Sequence, residues 1–156
     1  MSGHGAPSLA LQAPTATVAI VASSWHDEIM EGLIEGANEA LAEAQVASVE
    51  LIRAAGSFEL PIIAAAAARS FDIVVALGVI IRGGTPHFEY VSSAATDGLA
   101  RVALDTAVPV GFGLLTTDNE AQALDRAGLA GSTENKGREA AEAAIATWVT
   151  LQRLNG

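Results

Sequence analysis

Hydrophobic and polar positions along the chain change period several times, dividing it into alternating extended and helical stretches. Thr15 to Ala22 (TATVAIVA) is a short β-branched and apolar run and reads as a strand. Ile29, Leu33, Ala37, Leu41 and Ala44 then recur at helical spacing, while Glu31, Glu35, Glu39 and Glu43 hold another face. Ser24, with Asp27 three residues on, predicts a capping box at the start of that helix. Val46 to Ala54 is a second strand and Ala55-Gly56-Ser57 a turn. Glu59-Leu60-Pro61 opens an alanine-rich helix to about Ser70, with Pro61 in its first turn.

Ile73 to Ile81 is apolar without alternation, as expected of a central parallel strand covered on both faces. Gly83 and Gly84 follow at once and permit a tight turn with bared N–H groups. Thr85 predicts the N-cap of the next helix and Pro86 its first helical position. Val91, Ala95, Leu99 and Val102 form that helix's apolar stripe. Val108 to Leu115 (VPVGFGLL) predicts a fourth strand, and Thr117 with Glu120 a second capping box on a short helix ending at Arg126-Ala127-Gly128. A polar loop, Leu129 to Asn135, precedes a last helix opened by Lys136-Gly137, with Ala141, Ile145, Trp148 and Leu151 on one face.

The order β-α-β-α-β-α-β-α-α shows no repeat. It predicts an α/β fold, a three-layer α/β/α sandwich around a central four-stranded parallel sheet joined by right-handed crossovers. Ligands of such sheets sit beyond the C-terminal ends of the strands. That rule collects Ser24 to His26, Ser57 to Glu59, Arg82 to His87 and Phe112 to Thr117 along one edge.

A length of 156 residues suits one domain, expected over residues 15–156 behind a flexible tail at 1–14 that lacks the features of a secretory signal. The absence of cysteine excludes disulfides and thiolate metal sites. A net charge of −10 argues against nucleic acid and anionic membrane surfaces. No apolar stretch is long enough to span a bilayer, and the cytoplasm is the expected compartment.

Neither a dinucleotide fingerprint nor a P-loop nor a nucleophile elbow occurs. His4, His26 and His87 are scattered without metal-ligand spacing, so no metal site is expected. Metal-free acid–base chemistry on a phosphorylated or carboxylated small molecule remains. The glycine turn before a helix N-terminus is a natural anion site, and His87 in the first helical turn can move protons near neutral pH. Each candidate also has a plainer explanation. Trp25 can be helix-start packing, Glu59 or Arg126 a favourable charge at a helix end, and His87 a structural histidine.

The motifs VASSWH, GSFELP, LGVIIRGGTPHFEYV, GFGLLTT, ALDRAG and NKG, in this order and spacing, resemble the lumazine synthase family from about Val18 to Leu151. The resemblance implies a flavodoxin-like fold. It also implies condensation of 5-amino-6-ribitylaminopyrimidinedione with 3,4-dihydroxy-2-butanone 4-phosphate, without cofactor or metal. By motif, Trp25 stacks on the pyrimidine, Ser57, Phe58 and Glu59 hold the ribityl chain, and Val79, Ile80 and Ile81 offer backbone groups to the pyrimidine edge. Gly84, Thr85 and Arg126 bind the phosphate, and His87 transfers protons. Phe112, Arg126 and Lys136 come from an adjacent subunit, which implies a homopentamer whose only other partners are small-molecule substrates. The loop between Gly128 and Asn135 is longer than the compact turn of shell-forming relatives, so assembly is expected to stop at the pentamer. Rival readings are an archaeal-type riboflavin synthase, a weakly active paralogue, or a non-catalytic flavin- or lumazine-binding protein. Retention of both Arg126 and His87 favours the enzyme.

Overall fold

Each apolar run finds a parallel partner in a computed structural model that describes residue 5 and residues 11–156. The elements are β1 (Thr17–Ser23), α1 (Asp27–Glu43), β2 (Ser48–Ala54), a 3-10 turn (Ser57–Glu59), α2 (Leu60–Ala67) and β3 (Ile73–Ile81). They continue with α3 (His87–Thr106), β4 (Val110–Thr117), α4 (Glu120–Asp125) and α5 (Lys136–Asn155). The four strands form one sheet in the order β2-β1-β3-β4, every neighbouring pair parallel. These are the first four positions of a doubly wound sheet, and the fold is a flavodoxin-like α/β/α sandwich.

The missing alternation in β3 has a direct cause. Ile73, Val75, Leu77 and Val79 face one helical layer with Val18, Ile20 and Ala22 of β1, under Leu33, Leu41, Ala141 and Ile145 of α1 and α5. Val74 and Ala76 face the other with Ala19 and Val21, under Leu60, Ala64, Leu99 and Val102 of α2 and α3. Both faces of the two central strands are therefore dry, whereas β2, on the sheet edge, is largely exposed. Most of the expected N-terminal tail lies outside the described residues. Within it, Ala13 is fully buried and donates its N–H to Ala44 O at 2.9 Å.

The expected caps fail in instructive ways. Ser24 does not cap α1, because its hydroxyl donates to Ala54 O at 2.8 Å, across to the end of β2. His26 occupies the N-cap position instead, with φ 60 and no side-chain cap bond. Thr117 ends β4 as a buried residue, and Asn119 caps α4 by accepting from the Gln122 N–H at 2.9 Å. Pro86 stands at the N-cap of α3 rather than inside it, while Thr85 Oγ1 accepts a long bond from the His87 N–H at 3.4 Å. Ser24 has a competing partner across the sheet and Thr117 is taken up inside β4, neither of which local spacing reveals.

Close approach of α5 to α1 brings the C-terminal helix onto the sheet. Gly137, the second residue of α5, leaves no room for a Cβ, which would fall on the backbone of Leu33. Arg138 then reaches across to Glu43 with a forked ion pair, and Glu43 is held below its ordinary carboxylate range by that guanidinium. Gly137→Ala should destabilise the protein by about 1–3 kcal/mol through overpacking, read as a lower urea midpoint. Helix propensity alone predicts a gain of about 1 kcal/mol for the same change, so a raised midpoint would refute the close contact.

Candidate active site

The third strand outruns its neighbour. β1 pairs with β3 only as far as Ala22 with Leu77, whereas β3 continues to Ile81, paired through Thr117 of β4 alone. The β1 side of Val79, Ile80 and Ile81 therefore has no strand against it. A cleft of about 910 Å³ opens there, at the C-terminal edge of the sheet. It is lined by Trp25, His26, Ala55 to Glu59, Val79 to Ile81, and by His87, Tyr90, Val91 and Ala94 of α3.

Three chain reversals supply its walls. After β1, the chain passes through Trp25 into the left-handed His26, a conformation that costs a non-glycine residue of order 1–3 kcal/mol. Trp25 is 65% exposed, so its ring is a cleft wall and not core packing. After β2, Gly56 leads into the 3-10 turn. A Cβ on Gly56 would lie 3.3 Å from Trp25 Nε1 and 3.2 Å from Glu59 Oε2, so glycine lets the indole edge and the carboxylate close on the same spot without displacement. Ser57 is buried against β3, its Oγ 3.5 Å from Val79 O, while Phe58 stands out into solvent. After β3, the turn Gly83–Thr85 leads to His87, the first residue of α3 and exposed to the cleft.

The turn itself differs from expectation. Neither Gly83 nor Gly84 has a positive φ, and a Cβ on either would meet nothing within 4 Å. The fold does not demand glycine at these positions. Their bare backbone leaves open space in front of the turn, which suits close approach by a ligand.

Phe112, Arg126 and Lys136 do not line this cleft. Phe112 lies near the start of β4, paired with Ala76, and is half-exposed on the sheet's outer strand. Arg126 ends α4, donating Nη1 to Gln122 O at 2.9 Å, with Nε 3.5 Å from Glu134 Oε2. Lys136 starts α5, its Nζ 2.7 Å from Glu139 Oε2 and 3.6 Å from Glu134 Oε1. Glu134 thus links the two cations at the junction between α4 and α5.

The profile of the 6,7-dimethyl-8-ribityllumazine synthase family matches residues 15–152. The chain belongs to that family. It is 62% identical to the 6,7-dimethyl-8-ribityllumazine synthase of Leifsonia xyli subsp. xyli over 159 aligned positions, covering 100% of both chains. Identity to the enzyme of the same name from Paenarthrobacter aurescens is 57%, covering 99% of this chain and 100% of the relative. The synthase of Streptomyces coelicolor is 54% identical, with 99% of this chain and 98% of the relative covered. Nothing in these relationships favours a riboflavin synthase or a non-catalytic paralogue.

Around the lumazine synthase cleft, Tyr90 and Ala94 are the residues that sequence reasoning did not single out. The signal was available in the helical period. Tyr90, Val91 and Ala94 follow His87 at the i+3, i+4 and i+7 positions, so the face that carries the histidine carries them too. Tyr90 is 75% exposed and reads as one more surface residue until the cleft is seen. Among the described residues, no helix is long and apolar enough to cross a membrane.

Proposed function

We infer that the protein is an enzyme that condenses 5-amino-6-(D-ribitylamino)uracil with 3,4-dihydroxy-2-butanone 4-phosphate. The products are 6,7-dimethyl-8-ribityllumazine, phosphate and water. The carrying observation is a family match spanning residues 15–152, joined to a cleft in which Trp25, Glu59 and His87 face one space. Mixing the protein with both substrates tests it. Lumazine absorbance rising faster than in the uncatalysed mixture is expected, and no acceleration would contradict the assignment.

In the proposed site the pyrimidine stacks on the Trp25 ring, its edge hydrogen-bonded to the backbone of Val79 to Ile81, which lacks a β1 partner. Ser57, Phe58 and Glu59 hold the ribityl chain, the carboxylate accepting from its hydroxyls. Gly84 and Thr85 receive the phosphate at the open turn before α3. The primary amine attacks the ketone and loses water to give an imine, and phosphate leaves. The ribitylamino nitrogen then closes the ring with loss of a second water. His87 carries protons between nitrogen and oxygen during these steps. Holding the two reactants together supplies several kcal/mol of the acceleration.

The phosphate needs a cation, and this site has none of Arg126 or Lys136 from its own chain. We propose that Phe112, Arg126 and Lys136 are presented to the cleft of the next subunit in a homopentamer. A head-to-tail contact of this kind closes into a ring. The protein is proposed to work in the cytoplasm. The pyrimidine, the phosphorylated butanone and further copies of the chain are its proposed partners, with no cofactor.

Arg126→Ala should raise KM for the butanone phosphate by about 10-fold or more and leave the pyrimidine KM little changed, as expected for loss of a charged hydrogen bond. Equal weakening of both substrates would contradict the role. His87→Ala should lower kcat by about 10²–10⁴-fold while catalysis stays measurable, because positioning survives. Complete inactivity of a correctly assembled variant would show that the histidine does more than shuttle protons.

Assembly should end at the pentamer. The loop after Gly128 folds back on α4. Thr133 Oγ1 donates to Asp125 Oδ2 at 2.7 Å, Ser132 Oγ to Leu124 O at 2.5 Å, and the Gly128 N–H to Glu134 O at 3.0 Å. A loop pinned this firmly sets the start of α5, where Asn135 caps by accepting from the Arg138 N–H at 3.0 Å. In shell-forming relatives a shorter turn occupies this place between the last two helices. Light scattering is expected to give a particle near five times the 15.8 kDa chain mass, and a many-fold larger particle would overturn the loop argument.

A further inference from the structure

Arg82, the residue that joins β3 to the glycine turn, has no part in the scheme above. It is nevertheless the most connected side chain at this edge of the sheet. Its backbone N–H donates to Thr117 O at 2.8 Å, adding one rung to the β3–β4 pairing. Its Nε donates to Asp118 Oδ1 at 2.9 Å, and its Nη1 to Glu89 Oε1. Its guanidinium carbon lies 4.3 Å from the ring centroid of Phe88. Asp118 follows the last residue of β4, while Phe88 and Glu89 directly follow His87 in the first turn of α3. One planar side chain thus bridges the end of β4 and the start of the helix that carries the histidine.

Exposed ion pairs contribute little to stability one at a time. A guanidinium fork stacked on a ring and shared by two carboxylates matters in another way, because it specifies geometry. The pair is also electrostatically engaged. Arg82 holds the Glu89 carboxyl below its ordinary range, and Asp118 and then Glu89 raise the guanidinium further. Both carboxylates are tied to Arg82, the residue just before the open turn Gly83–Thr85, in a chain of net charge −10. Left unneutralised, both would repel an incoming phosphate.

We propose that Arg82 is a positioning residue. Its fork clamps the start of α3, with His87 and the Gly83–Thr85 turn, to Asp118 at the end of β4, and its charge is committed there and not to the phosphate. This rests on the proposed roles of His87, Gly84 and Thr85.

Steady-state kinetics on assembled protein test it, with Arg82→Met and a Glu89→Gln/Asp118→Asn double variant, each checked for assembly by light scattering. Arg82→Met should lower kcat and raise KM for the butanone phosphate, each by about 10-fold or more, since a 1 Å misplacement can cost about 10²-fold. KM for the pyrimidine should stay within about twofold, because Trp25 and Glu59 stand on other turns. The double variant keeps the arginine charge but releases the clamp, and kcat should fall in the same direction. Tighter butanone phosphate binding with undiminished kcat in the double variant would identify Arg82 as a phosphate ligand and overturn the proposal. A wild-type protein that forms no lumazine would overturn the proposed function and this role with it. Normal wild-type turnover beside unchanged variants would overturn this role alone.

Discussion

The site depends on a mismatch of strand lengths. β1 leaves β3 at Leu77, and the last part of β3 continues beside β4 alone. Had β1 kept pace to Ile81, its backbone would have occupied the flank of Val79 to Ile81 and no cleft would exist. Because it turns away at Ser23, the reversals after β1, β2 and β3 surround an exposed strand end whose floor is the rigid centre of the sheet. The burial of Val74 to Leu77 on both faces fixes that floor, and the left-handed His26 is a local strain the core can hold.

Electrostatics shape what this cleft can do. The chain is strongly acidic, so a phosphate finds few free cations along it. Arg126 and Lys136 are gathered around Glu134 between α4 and α5, and Arg82 is engaged with Asp118 and Glu89. The open turn before α3 contributes backbone donors and space but no charge of its own. A single chain therefore holds the proposed components of a condensation site in two separated places, which is the physical ground for proposing that neighbouring subunits complete each other.

Much of this was legible in the sequence, and the reasons are specific. The unbroken apolar run of β3 announced a strand buried on both faces. The positions of Trp25, the Ser57–Glu59 segment and His87 after successive strands announced one ligand edge. Helix starts were misread wherever a hydroxyl had a partner distant in sequence, as Ser24 does in Ala54, or lay inside the sheet, as Thr117 does. Gly83 and Gly84 were read as baring their N–H groups in a tight turn; their ordinary φ and the empty space in front of them depend on tertiary structure, which local sequence does not carry. The tie from Arg82 to Asp118 spans 36 positions, beyond any local pattern.

Subunit complementation tests the divided site most directly. His87→Ala and Arg126→Ala proteins, each poorly active, are unfolded together and reassembled as mixed rings. If one chain supplies the histidine and the next the arginine, some interfaces in the mixture pair two intact halves. Lumazine formation should then rise well above that of either variant reassembled alone. Activity that stays at the average of the two parents, in rings shown to contain both chains, would contradict a site shared between subunits.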